Sequence, residues 1–85
     1  MTVIAPVALV TGGARRIGRA IVDDLSRHGW SVAIHCHHSR IDAEQLAQEI
    51  VGRGGKAAVV VADLANPAGA RSIIRDAQTA LGPLT

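Results

Sequence analysis

Apolar and polar positions along this chain fall into blocks whose period switches between that of a strand and that of a helix. Residues 3–11 (VIAPVALVT) are an apolar, β-branched run that ends in glycines. Pro6 has no N–H for a central ladder, so the strand proper is expected over residues 7–11. Residues 16–28 (RIGRAIVDDLSRH) then take helical spacing. Ile17, Ala20, Ile21 and Leu25, with Val22 alongside, are expected on the inner face, and Arg19, Asp23, Asp24 and Arg27 in water. Gly29 is the natural C-cap, and His28 suits the last turn.

The same alternation occurs twice more. Residues 31–36 (SVAIHC) read as a buried parallel strand. In the polar stretch that follows, Ser39 can cap the next helix, with Asp42 as the reciprocal member of a capping box. Leu46, Ile50 and Ala43 or Ala47 give that helix its apolar stripe, and Gly52, Gly54 and Gly55 end it. Residues 57–62 (AAVVVA) are expected as a third strand, buried on both faces by composition. Asn66 caps a third helix with Pro67 at its first position. Ile73, Ile74, Ala77 and Leu81 form its inner face, and Gly82 and Pro83 stop it. Leu84 and Thr85 are placed as the approach to a fourth strand.

Strand and helix thus alternate three times, and right-handed crossovers between parallel strands are the economical arrangement. The expected class is α/β, a Rossmann-like βαβαβα layer with a parallel sheet, an incomplete doubly wound fold. With one tryptophan and no phenylalanine or tyrosine among 85 residues, the core must come from Val, Ile, Leu and Ala. An apolar share of 48% is enough for such a core and argues against disorder. The net charge of +2 is too mild to imply a nucleic-acid partner. No apolar run is long enough to cross a membrane, and residues 1–10 lack the pattern of a signal peptide. Cys36 stands alone, which excludes an internal disulfide framework and reads as a reduced thiol. A cytoplasmic location is expected.

The strongest local signal is Thr11-Gly12-Gly13-Ala14-Arg15-Arg16-Ile17-Gly18, at the end of a strand and the start of a helix. Gly12 and Gly13 let the backbone turn sharply and approach a pyrophosphate, and the helix end offers unpaired N–H groups to it. Gly18 lets the helix lie close. The second signal is His35-Cys36-His37-His38-Ser39-Arg40 after the second strand. An acid there would hold a ribose diol; none occurs before Asp42. With Arg15, Arg16, Ser39 and Arg40 near, this tip suits a 2′-phosphate, so NADP is the expected cofactor. The third signal is Asp63, followed by Leu64, placed to receive an adenine amino group and pack by its ring.

Three histidines in four residues also raise a metal site. His35 and His37 would share one side of a continuing strand, with Cys36 opposite, but no third ligand has suitable spacing. No metal is expected. The sequence also lacks the acidic cluster of a receiver domain after its first strand and the Gly-Lys-Ser/Thr of a nucleoside triphosphatase.

The segments TGGARRIGRAIV, SVAIHCHHS and VVVADLANP resemble the amino-terminal part of a short-chain dehydrogenase/reductase, and the resemblance covers essentially the whole chain. Residues 1–85 would then be the amino-terminal part of an NAD(P)-binding Rossmann domain. The family commonly has Thr-Gly-x-x-x-Gly-x-Gly; here Arg16 stands at the middle glycine. That change, with the His-x-His-x-Ser tip, is similar to the pteridine reductase branch. The resemblance implies that Arg16, His37, His38 and Ser39 line the 2′-phosphate pocket and that Asp63 and Leu64 contact adenine. The candidate cofactor-binding set is Gly12, Arg15, Arg16, Ile17, Gly18, His35, His37, His38, Ser39, Asp63 and Leu64.

The implied activity is NADPH-dependent hydride transfer to a carbonyl or pterin-like small molecule. The family's catalytic Tyr-x-x-x-Lys is absent: the chain has no tyrosine, and its one lysine is Lys56. The 85 residues are therefore expected to be inactive alone, as the cofactor-binding part of an enzyme that is a homo-oligomer, tetramer or dimer, at full length. The competing class is a non-catalytic dinucleotide-binding or regulatory module.

Overall fold

The computed structural model describes residues 6–13 and 16–85. Its elements are β1 (Val7–Val10), α1 (Arg16–Arg27), β2 (Ser31–Cys36), α2 (Arg40–Gly52), β3 (Ala57–Val61) and α3 (Pro67–Leu81). The strands form one parallel sheet in the order β1-β2-β3. Val7 pairs with Ser31 and Val10 with Ile34, while Val32 pairs with Ala57 and Cys36 with Val61. The expected α/β class and strand–helix alternation are present.

β2 is the centre of the molecule. All six of its residues are buried, because strands flank both of its edges and helices cover both of its faces. Its side chains alternate between two cores, as strand geometry requires. Val32, Ile34 and Cys36 join Val22 of α1 and Ala43, Leu46 and Ile50 of α2. Ala33 turns the other way, to Val60, Ala62, Ile73 and Ala77. Ile34, Leu46 and Ile50 are almost fully enclosed, each worth roughly 1.5–3 kcal/mol of transfer from water.

Four expectations need correction. The inner face of α1 runs through Gly18, Val22 and Leu25, not through Ile17 and Ile21, which are 78% and 46% exposed. The helix is turned by its first contact: a Cβ on Gly18 would collide with the Gly12 carbonyl, so only glycine can occupy that position and its side faces in. β3 is not buried on both faces, and Val61 is exposed, because β3 lies at an edge of the three-stranded sheet. On α3, Ile73 and Ala77 are buried but Ile74 is exposed. Finally, Ser39 occupies the N-cap of α2 without a side-chain capping bond. Its φ of −99° and ψ of 41° depart from the extended conformation that aims a capping hydroxyl, and its contribution is its carbonyl, which accepts from Ala43 N–H at 2.9 Å.

Other local signals act as expected. Gly29, at φ 88°, closes α1 with a paired turn: its N–H reaches the Ser26 carbonyl and the Trp30 N–H reaches the Leu25 carbonyl. Asn66 caps α3 by accepting from Ala68 N–H at 2.9 Å, with Pro67 beside it. α3 carries the chain back across the sheet to β1. There Thr85 N–H donates to the Val7 carbonyl and Thr85 Oγ1 accepts from Val7 N–H, both at 2.9 Å. Since Pro6 bonds Ser31 across the β1–β2 pair, these Val7 groups point to the other edge of β1. The chain therefore leaves β1 toward β2 and returns to its opposite side, which opens a crevice at the carboxyl end of β1.

Candidate functional site

The carboxyl ends of all three strands converge on that crevice. The turn after β1 is built from two glycines with separate tasks. Gly12 has φ 63° with open space where a Cβ would be, so it serves the turn. Gly13 is buried, and a Cβ there would press to 3.0 Å on the Val10 carbonyl and on Val22 Cγ2. Its smallness serves the core, not a ligand. Gly18 in the first turns of α1 then seats the helix directly on Gly12.

Arg16 opens α1 at φ 49°, a left-handed conformation normally left to glycine. At this position the backbone thus keeps a conformation suited to glycine while carrying a guanidinium. Arg16 is exposed and, among the described residues, enters no ion pair. It lies at one end of an open groove of about 400 Å³ between α1 and α2 that also includes Arg19 and Glu49. Ile17 is exposed beside it, and the first turn of α1 holds no acid. The leading N–H groups of a helix have no acceptor within it, so this end favours an anion. Arg15, an expected cofactor residue, lies outside the described residues.

The three histidines after β2 separate into two roles. β2 stops at Cys36, so His37 does not share a strand face with His35 as expected from a continuing strand. His35 is 5% exposed, and both of its ring nitrogens are engaged: Gly12 N–H donates to Nδ1 at 3.0 Å, and Nε2 lies 2.9 Å from the Ala62 carbonyl. His37 and His38 are exposed, with ring centroids 3.9 Å apart and planes tilted by 38°. Ser39 follows, half-buried. Arg40 turns along its own helix to Glu44 at 2.9 Å. Between them, Cys36 is buried, and that burial raises its thiol pKa above the ordinary value despite Arg40 nearby.

After β3, Asp63 is exposed, and its Oδ1 accepts from Ala65 N–H at 2.9 Å, so one carboxylate oxygen shapes the turn. Leu64 is 39% exposed beside it. The sequence reading missed Gly69. A Cβ there would collide with the Asp63 carbonyl, so α3 seats on this turn as α1 seats on Gly12. The available signal was a glycine in the first turns of a helix whose asparagine cap and proline start were already recognised.

A second recess, of about 300 Å³, lies at the amino ends of β2 and β3 and includes Arg27, Trp30, Arg53 and Lys56. Arg27 and Arg53 share the Asp23 carboxylate at 2.8 and 3.0 Å, which offsets part of its positive charge. The carboxyl end of the sheet is the candidate ligand site. At that end of the sheet the amino end of α1 carries exposed Arg16, His37, His38 and Ser39 follow β2, and Asp63 follows β3.

Comparison with known proteins agrees with the α/β fold described above. The short chain dehydrogenase family profile matches residues 6–85. Pteridine reductase 1 of Leishmania tarentolae is 46% identical over 65 residues, covering 75% of this chain and 22% of that protein. The structure of FolM alternative dihydrofolate reductase 1 from Brucella suis, in complex with NADP, is 50% identical with a TM-score of 0.87, covering 94% of this chain and 31% of that one. A blue fluorescent protein from a metagenomic library, in complex with NADPH, is 40% identical with a TM-score of 0.89, covering 93% and 33%. The chain thus spans about a third or less of each of these proteins.

Proposed function

This chain belongs to the short-chain dehydrogenase family, and on that premise we propose that residues 1–85 are the NADP(H)-binding amino-terminal part of an oxidoreductase. The observation that carries the choice of cofactor is the tip of β2. His37, His38 and Ser39 follow β2, Arg16 is exposed at the start of α1, and no carboxylate occurs between Cys36 and Asp42. A 2′-phosphate meets donors and positive charge at such a tip, whereas a ribose diol finds no acid to accept its hydroxyls. The relatives solved with NADP and NADPH support the same reading.

In this reading Arg16, with Arg15, pairs with the 2′-phosphate, and His37, His38 and Ser39 enclose it. The α1 amino end around Ile17 and Gly18 receives the pyrophosphate. Asp63 keeps one oxygen for the adenine amino group, with Leu64 against the ring. When bound, the cofactor would supply the hydride. The substrate class is a carbonyl or pterin-like small molecule, as the names of the pteridine and dihydrofolate reductases suggest.

The proton-transfer residues of the reaction lie outside this sequence. It has no tyrosine, and Lys56 precedes β3, at the end of the sheet away from the crevice. The chain alone is proposed to bind cofactor without turning over, and a homo-oligomer, dimer or tetramer, is proposed for the full-length protein. Among the described residues no helix is long and apolar enough to cross a membrane; a cytoplasmic location is proposed. The test is calorimetric titration of this chain with NADPH and NADH. NADPH is expected to bind at least about tenfold more tightly, equivalent to ~1.4 kcal/mol. Equal affinities would overturn the 2′-phosphate assignment. Turnover by this chain would overturn the division of labour, and absence of turnover in the full-length protein would favour a non-catalytic binding module.

A further inference from the structure

We propose that His35 is a positioning residue for the nucleotide site, holding the turn after β1 and the turn after β3 at a fixed separation through one neutral imidazole. The inference rests on the reading above that the nucleotide lies across those two turns, and it assigns His35 a different task from His37.

The two hydrogen bonds dictate the state of the ring. A backbone N–H can only donate, so Nδ1, 3.0 Å from Gly12 N, must accept and carries no proton. A carbonyl can only accept, so Nε2, 2.9 Å from Ala62 O, carries the proton. The side chain is therefore the neutral Nε2–H tautomer, fixed by two backbone groups 50 residues apart in sequence. It is 5% exposed, and among the described residues no buried side-chain polar atom lacks a partner. Neither ring nitrogen is left for a phosphate.

Backbone bonds reinforce both ends of this bridge. The His35 carbonyl accepts from Gly13 N–H at 3.1 Å, and the Cys36 carbonyl accepts from Ala62 N–H at 3.0 Å. Beyond the bridge each turn seats a helix: Gly18 against Gly12, and Gly69 against Asp63, the residue after Ala62. The imidazole is thus the side-chain link in a continuous series from α1, through both turns, to α3. It also withdraws Gly12 N–H from any ligand, leaving the anion to the amino end of α1. A hydrocarbon at position 35 would fill the space but leave Gly12 N–H and the Ala62 carbonyl without their bridge.

The experiment uses 15N-labelled chain and two variants, His35→Gln and His35→Leu. A glutamine amide offers one acceptor and one donor, and can replace the bridge; leucine offers neither. In the wild type, long-range proton–nitrogen spectra are expected to show protonated Nε2 and bare Nδ1, with slow exchange at the Gly12 amide. By calorimetry with NADPH, His35→Gln is expected to stay within about threefold of wild type, and His35→Leu to lose roughly tenfold or more while its circular dichroism stays native. An Nδ1–H tautomer overturns the inference, as does a folded leucine variant that binds like wild type or a folded glutamine variant that binds no better than the leucine one. If the leucine variant does not fold, the tautomer and the glutamine affinity decide. A wild type that binds no NADPH would sink the nucleotide reading instead, and the tautomer with Gly12 exchange would still decide whether the ring holds the two turns.

Discussion

Gly18 in α1 lies directly on the carbonyl of Gly12, with no room for a Cβ between the helix and the turn. Backbone meets backbone there, so neither side can yield by changing rotamer. Gly18→Ala is expected to destabilise the chain by about 1–3 kcal/mol, an overpacking cost larger than alanine's gain in helix propensity. Gly52, in the last turn of α2, has nothing within 4 Å of its Cβ position. Gly52→Ala is expected to be neutral or stabilising by up to ~1 kcal/mol. Urea midpoints of the two variants check the pair; equal losses would remove the close approach as the cause.

The same contact recurs at Gly69 and the Asp63 carbonyl. Gly69→Ala should shift the turn carrying Asp63 and Leu64 and lower NADPH affinity more than it lowers the urea midpoint. Unchanged affinity in a destabilised chain would separate this turn from the cofactor.

At Arg16 the backbone and the side chain make opposite demands. The left-handed φ of 49° favours glycine, and the guanidinium serves the 2′-phosphate reading. Both Arg16→Ala and Arg16→Gly are expected to weaken NADPH far more than NADH. Arg16→Gly should also be more stable than Arg16→Ala by up to ~1 kcal/mol, because it removes the strain of that conformation. Equal losses for the two cofactors would refute the phosphate contact, and equal stabilities would refute the strain.

His37→Asp places a carboxylate just beyond β2, where a ribose diol would be held and a 2′-phosphate repelled. Paired titrations should show preference moving from NADPH toward NADH. A preference that does not move places His37 outside the pocket.

Asp23 joins α1 to the end of α2 by accepting from Arg27 and Arg53. The Arg27 hydrogen bond, with the charges of both arginines, holds its carboxyl below the usual carboxylate range against a smaller opposing effect of burial. A depressed folded value means the stabilisation is present at neutral pH and is lost as pH falls through that range. Asp23→Asn should lower the urea midpoint at neutral pH and low salt. The difference should shrink in about 1 M salt, where screening is short-ranged, and vanish at acid pH. A difference that persists in acid would assign the effect to packing.

The sequence by itself determined the order of elements, the caps at Asn66 and Gly29, and the glycine turn that opens α1. These depend on period, on missing donors and on φ, all of which act within a few residues. The same local reasoning marked His37, His38, Ser39 and Asp63 as candidates, because each lies just after a strand. It could not set the rotation of α1: Ile17 and Ile21 fit a helical stripe, but the contact of Gly18 with Gly12 turned them outward. Nor could it see that β3 ends the sheet and so leaves Val61 exposed, or that Ser39 would contribute its carbonyl to α2 instead of its hydroxyl. The division among the histidines was settled only by tertiary structure. Three imidazoles within four residues are chemically alike in sequence; β2 carries His35 between Gly12 and Ala62, then stops, leaving His37 and His38 outside. A buried donor and acceptor supplied from two distant turns made one of them a bridge, while the other two stand exposed beyond the strand.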